Sequence, residues 1–113
     1  MKIRRRDFIA GAAATAALAG APAIVRAQSA TIKIGEINSY TTIPAFTLPY
    51  RNGWQLAVEE INAAGGVLGR KLEVISRDDA GKPEDAVRLA GELVNNEKVV
   101  LLAGTFLSHV GLA

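Results

Sequence analysis

Hydrophobic and polar residues alternate from Thr31 to Ile37, and this two-residue period predicts a β-strand. A polar loop is expected next, from Asn38 to Pro49. From Tyr50 onward the period becomes helical, and one apolar stripe recurs at intervals of three and four residues: Trp54, Ala57, Val58 and Ile61. The pair Gly65-Gly66 ends this helix, because glycine readily adopts the left-handed conformation of a helix C-terminus.

The next segment repeats the pattern of a strand followed by a helix. A second strand is predicted from Lys71 to Arg77, and the loop from Asp78 to Gly81 follows it. Pro83 is favoured as the first residue of a helix. The buried stripe of that helix is expected to comprise Val87, Ala90, Leu93 and Val94. The continuous apolar run from Val99 to Ala103 is then typical of a strand buried on both faces of a parallel sheet.

The element order β-α-β-α-β predicts an α/β fold with right-handed crossovers, the start of a doubly wound parallel sheet. The third strand is the most apolar, so a central place in the sheet is expected for it. Three strands and two helices do not cover such a strand on both sides. Residues 28–113 are therefore expected to form an incomplete N-terminal lobe of a larger domain.

Residues 1–27 have the three regions of a signal peptide. Positive charges occupy Lys2 to Arg6, and an apolar stretch of 14 residues runs from Phe8 to Ala21. That stretch is too short to anchor the chain across a bilayer. Small residues at Val25 and Ala27 predict cleavage after Ala27.

The arginines of this leader suggest an export route. The segment Arg4 to Ile9 resembles the twin-arginine motif, with Arg5 and Arg6 as the pair and Phe8-Ile9 as the hydrophobic follow-on. We therefore expect a periplasmic protein, exported by the twin-arginine route. A general secretory signal and a permanent anchor are the alternatives.

Charge and composition narrow the possible partners. Up to Ala27 the chain has five Lys and Arg against one Asp, whereas the rest has eight against ten Asp and Glu. The basic charge thus belongs to the leader, and nucleic acid is not an expected partner. The chain has no cysteine and a single histidine, His109. No metal site or cofactor is expected.

In an open parallel sheet, ligands bind beyond the carboxyl ends of the strands. Three segments lie there: Asn38 to Pro49, Asp78-Asp79 and Thr105 to His109. No glycine-rich phosphate-binding loop occurs among them, which disfavours a dinucleotide. No nucleophile–base pair is evident either, so the sequence does not indicate an enzyme.

Several side chains in these segments could contact a ligand. Ser108 could bind an anion with its hydroxyl and the nearby helix N–H groups, or could simply be an N-cap. Asp78-Asp79 could bind a cation or an ammonium group, or could cap the turn. The aromatic residues Tyr40, Phe46 and Tyr50 could line an apolar pocket, although Tyr50 could equally belong to the helix core.

The stretch from Asn52 to Glu73, NGWQLAVEEINAAGGVLGRKLE, resembles the type I periplasmic binding proteins, in particular the Leu/Ile/Val-binding proteins of ABC importers. The resemblance continues through Arg77 to Val87 and Gly104 to Ser108, and it covers the chain from about Ile32 to Ala113.

This resemblance implies a fold of two α/β lobes hinged around a cleft, and a non-catalytic protein that delivers its ligand to importer membrane subunits. It implies that Ser108 binds the ligand carboxylate and that Phe46 lines the pocket. Thr105, where the family often has proline, and Tyr40, in the first loop, complete the candidate ligand-binding residues. The implied ligand is a branched-chain amino acid, an amide, or an aromatic or aliphatic carboxylate.

Two other functions remain open at this point. The same fold can serve as the ligand-sensing domain of a receptor or regulator, and an exported enzyme is a more remote alternative. A downstream transmembrane helix would favour the sensor, whereas a downstream cluster of His, Cys or acidic residues would favour the enzyme.

Overall fold

The computed structural model describes residues 30–113. The predictions for Arg5, Arg6 and Ala27 lie outside this range. The described chain alternates strands and helices in the predicted order, with one additional short helix: β1 (Ile32–Asn38), α1 (Pro44–Ala63), β2 (Leu72–Asp78), α2 (Pro83–Asn95), β3 (Leu101–Gly104) and α3 (Ser108–Gly111). None of these helices is long and apolar enough to cross a membrane.

The three strands form one parallel sheet in the order β2-β1-β3, which confirms the predicted fold class. In β1, Ile32 is opposite Leu72 of β2, and Ile34 is opposite Leu101 of β3. Because β2 and β3 lie on opposite sides of β1, right-handed crossovers place α1 and α2 on opposite faces of the sheet.

The expected burial of β3 on both faces is wrong for the described residues. All four residues of β3 are exposed. Within residues 30–113, β3 pairs with β1 on one side and has no strand on its other side. The central strand is β1, whose last four residues are buried.

Helix α1 begins six residues earlier than Tyr50, where the sequence pattern predicted its start. Pro44 occupies the first helical turn, where its fixed φ angle suits a helix and its missing N–H costs nothing. The Thr47 hydroxyl donates a 3.1 Å hydrogen bond to the carbonyl of Ile43. Pro49 lies inside the helix. The loop predicted up to Pro49 therefore ends before Pro44.

The end of α1 follows the prediction. The helix stops at Ala63, and both following glycines have positive φ angles, 104° for Gly65 and 79° for Gly66. A Cβ atom on Gly66 would lie 2.1 Å from the carbonyl oxygen of Arg70. Glycine is thus required at this turn for both conformation and space.

The core lies between α2 and the face of β1 that carries Ile37. Its buried members are Ile37, Ala86, Leu89, Leu93 and Val110. The predicted stripe on α2 is therefore partly wrong, because Val87 and Val94 are exposed. The helix approaches the sheet at Gly35, where an added Cβ atom would lie 3.0 Å from Leu93. The missing side chain of Gly35 leaves room for Leu93, which is fully buried.

Candidate functional site

A cavity of about 260 Å³ lies where the carboxyl ends of β1 and β3 meet. The helices that follow these two strands leave toward opposite faces of the sheet, so a crevice opens between them, the usual ligand position in such folds. Three aromatic residues, two polar residues and a glycine line the cavity: Phe46, Tyr50, Phe106, Asn38, Thr47 and Gly104.

Two phenylalanine rings form one wall of the cavity. The rings of Phe46 and Phe106 stack with their centroids 5.5 Å apart and their planes 17° apart. They are 63% and 57% exposed, respectively, although both are large and apolar. Exposed aromatic surface of this kind is characteristic of a binding site or an interface.

Phe46 was singled out from the sequence, and the structure places it at the cavity, on α1 rather than in a loop. Phe106 was not singled out. Its signal in the sequence was a large apolar residue directly after a strand-ending Gly-Thr pair.

Asn38 supplies a polar group to the lining of the cavity. It is 3% exposed, and its side-chain oxygen accepts hydrogen bonds from the backbone N–H groups of Ser39 (3.0 Å) and Phe106 (3.4 Å). These two donors identify that atom as the oxygen, so the other branch is the amide nitrogen. Within residues 30–113 the Asn38 side chain makes hydrogen bonds through its oxygen alone. Its two N–H donors are therefore free.

Glu36 lies two residues before Asn38 and is 2% exposed. Its Oε2 atom accepts a 2.7 Å hydrogen bond from the Ser76 hydroxyl, whereas its buried Oε1 atom has no partner among the described residues. Burial, and then the nearby Glu36 carboxylate, raise the pKa of the Tyr50 hydroxyl. Neither Glu36 nor Asn38 was named as a site residue from the sequence.

Tyr40 is buried away from this cavity. The Arg51 guanidinium carbon lies 3.6 Å from the centre of its ring, a cation–π contact. Its hydroxyl accepts a 3.4 Å hydrogen bond from the Trp54 indole nitrogen, and its backbone N–H donates to Asp78. Through these contacts Tyr40 holds the first loop against α1. Among the described residues, Tyr40 is not in the lining of the cavity that contains Phe46.

The side chains of Asp78 and Asp79 accept hydrogen bonds from backbone N–H groups of the two neighbouring loops. Asp78 accepts hydrogen bonds from the N–H groups of Tyr40, Thr41 and Ala80. Asp79 accepts from the N–H of Gly81 at 2.7 Å. Of the two sequence-based alternatives, the geometry favours capping over cation binding. No group of three or more potential metal ligands occurs in the described part of the chain.

Thr105 directly follows β3 and Ser108 begins α3, and neither is a lining residue of the aromatic cavity. Thr105 instead lines a second cavity, on the side of α2. Thr105 has a φ angle of 60°, which is unusual for a β-branched residue. Its backbone N–H donates a 2.7 Å hydrogen bond to the carbonyl of Ile37, which fastens the turn to β1. Ser108 is exposed and is the first residue of α3. Its N-cap alternative is wrong, because the N-cap is Leu107.

Comparison with known sequences identifies similar proteins. The sequence pattern of the periplasmic binding proteins matches residues 31–113. An amino acid binding protein of Pseudomonas aeruginosa is 39% identical over 80 residues, 70% of this chain and 21% of its own length. A Leu/Ile/Val-binding protein of Rhizobium johnstonii is 39% identical over 83 residues, 73% of this chain and 23% of its own length.

Solved structures of solute-binding proteins also resemble this chain in their fold. The branched-chain amino acid binding protein LivJ from Streptococcus pneumoniae, in complex with isoleucine, superposes with a TM-score of 0.68 and 35% identity, over 72% of this chain and 24% of that one. An ABC transporter solute-binding protein from Rhodopseudomonas palustris, in complex with 3,4-dihydroxybenzoic acid, gives a TM-score of 0.66 and 34% identity, over 73% of this chain and 22% of that one. The chain thus spans between a fifth and a quarter of the length of these proteins.

Proposed function

Because the chain belongs to the periplasmic binding protein family, we propose that the whole protein is the solute-binding component of an ABC importer. In this proposal it binds a small carboxylate or amide outside the cytoplasm and delivers it, chemically unchanged, to the importer's membrane subunits. The proposal therefore assigns no catalytic activity. The single observation that carries it is the aromatic cavity at the junction of β1 and β3, in a fold shared with solute-binding proteins.

The cavity supports a ligand with an apolar body. Its wall is the stacked pair Phe46 and Phe106, and such rings bind apolar and aromatic groups. The similar proteins from Streptococcus and Rhodopseudomonas bind isoleucine and 3,4-dihydroxybenzoic acid, respectively. Both ligands combine a carboxyl group with an apolar body, and we propose a ligand of this general class.

Ser108 is proposed as the anchor of the ligand carboxylate. Its side chain is exposed at the start of α3, two residues after Phe106 of the cavity wall. Thr105, fastened to β1 in the β3–α3 connection, would hold this turn against the ligand. Tyr40 would contribute indirectly, by fixing the first loop beneath Arg51.

The proposal includes the processing and location of the protein. Residues 1–27 are proposed to be a twin-arginine signal peptide that is removed after Ala27, and residues 28–113 the start of the first lobe. Family members of this kind act in the periplasm, and the arginine pair Arg5-Arg6 is the proposed determinant of the route.

The test is calorimetric titration of the full-length mature protein with branched-chain amino acids, their amides and aromatic acids. A charge-assisted hydrogen bond contributes about 1.5–3 kcal/mol, so Ser108→Ala is expected to weaken binding by about 10- to 150-fold. Ser108→Thr, which retains the hydroxyl, is the matched control and should keep most of the affinity. Binding of uncharged solutes only would reject a carboxylate ligand, and equal affinity of Ser108→Ala and wild type would remove Ser108 from the site.

A further inference from the structure

Two buried polar side chains on the same face of β1 have unused hydrogen-bonding capacity of opposite kinds. Glu36 and Asn38 are two residues apart on a strand, so both side chains leave the sheet on the side of α1. Among residues 30–113, the Oε1 atom of Glu36 is an acceptor without a donor, and the amide nitrogen of Asn38 has no acceptor. Buried polar atoms are nearly always paired in proteins, so the unpaired Oε1 atom of Glu36, beside the amide nitrogen of the cavity-lining Asn38, points to a partner that arrives with the ligand.

Both groups adjoin the aromatic cavity. Asn38 lines it directly. The Oε1 atom of Glu36 lies against Gly104, another lining residue, since a Cβ atom built there would be 3.1 Å from it. The Oε1 atom is itself buried, so a ligand that binds it must displace part of the cavity lining. The lining side chains on α1 that are most exposed are Tyr50 and Phe46.

The chemistry of this pair discriminates among ligand groups. A carboxylate placed here would accept from Asn38 but would be repelled by the Glu36 carboxylate. An ammonium group would pair with Glu36 but would face the N–H donors of Asn38. A hydroxyl group both donates and accepts, so it alone among these three satisfies both residues.

We propose that Glu36 and Asn38 form a hydroxyl-recognition subsite, and that the ligand is a hydroxylated aromatic carboxylate. Its hydroxyl donates to Glu36 and accepts from Asn38, while its ring lies along Phe46 and Phe106. This inference rests on the proposed solute-binding function, and it places the ligand carboxylate away from Glu36, toward Ser108.

The experiment uses the full-length mature protein and calorimetric titration with two matched ligand pairs. These are 3- and 4-hydroxybenzoate, each compared with the corresponding fluorobenzoate, in which fluorine occupies a similar position without donating a hydrogen bond. The wild-type protein is expected to bind one hydroxybenzoate at least tenfold more tightly than its fluoro counterpart. Equal affinities within both pairs would overturn the subsite.

Glu36→Gln tests the acceptor. Glutamine has the same shape and can still accept from Ser76, but it presents a donor in place of Oε1. We expect the hydroxyl-to-fluoro affinity ratio to fall at least tenfold, with fluorobenzoate affinity nearly unchanged. Glu73→Gln makes the same substitution at an exposed position of β2 and should leave the ratio intact. An unchanged ratio in folded Glu36→Gln protein would overturn the inference.

Asn38→Asp provides a second variant if Glu36→Gln does not fold. It keeps the oxygen that accepts from Phe106 and replaces the amide donors, and the ratio should again fall at least tenfold. Binding of leucine or isoleucine without any aromatic acid would overturn the subsite and leave the solute-binding proposal standing. Absence of binding to every carboxylate and amide would overturn both.

Discussion

The hydroxyl of Ser39 donates a 2.6 Å hydrogen bond to the Oδ1 atom of Asp79, and this bond joins the loop after β1 to the loop after β2. Both residues are fully buried. The Gly81 N–H donates to the same oxygen at 2.7 Å. The two loops are thereby held together at the edge of the sheet where the candidate site lies.

Ser39→Ala removes this link and leaves a buried carboxylate with one partner fewer. The Gly81 N–H still donates to the same oxygen, so the loss is that of one hydrogen bond to a carboxylate, about 1.5–3 kcal/mol in the free energy of unfolding. Denaturant unfolding of the full-length protein measures it. Thr42→Ala, an exposed position of the same loop, is the control and should change stability by less than about 0.5 kcal/mol. Equal effects of the two variants would contradict a structural role for the Ser39–Asp79 bond.

Backbone strain at Thr105 gives a second prediction. The φ angle of 60° disfavours any residue with a Cβ atom, by about 1–2 kcal/mol in the left-handed region. Thr105→Gly and Thr105→Ala both remove the hydroxyl, but only glycine also removes the strain. We therefore expect Thr105→Gly to be more stable than Thr105→Ala by about 1 kcal/mol in thermal or denaturant unfolding.

The variants Thr42→Gly and Thr42→Ala are the control for the comparison of glycine with alanine at position 105. Thr42 is not among the residues with positive φ, so glycine there should be less stable than alanine. If alanine were also the better residue at position 105, the turn after β3 would not be strained.

The order and type of the elements could be predicted from the sequence because each has a local signal. Pro83 at a helix start and Gly65-Gly66 at a helix end act through their own φ angles, and the structure confirms both. The start of α1 could not be predicted in the same way. Its first turns contain Pro44 and Pro49, which suggested a loop, yet Pro44 is compatible with the first helical turn.

The site was only partly predictable because its key contacts are distant in sequence. Asn38 and Phe106 are 68 residues apart, and only the pairing of β1 with β3 brings them together. The sequence shows that Phe46 is aromatic, but it does not show that its ring stacks on that of Phe106. On α2, apolar residues of helical period allow two neighbouring stripes, and the structure buries the one with Ala86, Leu89 and Leu93 instead of the predicted one with Val87 and Val94.

The leader gives a prediction that concerns export alone. Replacement of Arg5 and Arg6 by lysine keeps the charge and the apolar stretch but removes the arginine pair. We expect the precursor to accumulate in the cytoplasm, measured by cell fractionation, whereas Arg4→Lys should be exported normally. Normal export of the double variant would contradict the twin-arginine route and leave a general secretory signal as the explanation.

The stacked phenylalanines give the last prediction, because the two rings come from separate elements and share one wall. If a ligand lies against both, Phe46→Ala and Phe106→Ala should each weaken binding of an aromatic acid by roughly 10-fold, the loss expected for about 1.4 kcal/mol of ring contact. The two losses should not add in the double variant, since removing one ring already disrupts the stack on which the other depends. Val87→Ala is the control, an exposed apolar residue of α2 that lines a different cavity. Calorimetric titration of the four variants measures the coupling, and additive losses would show that the rings contact the ligand independently rather than as one wall.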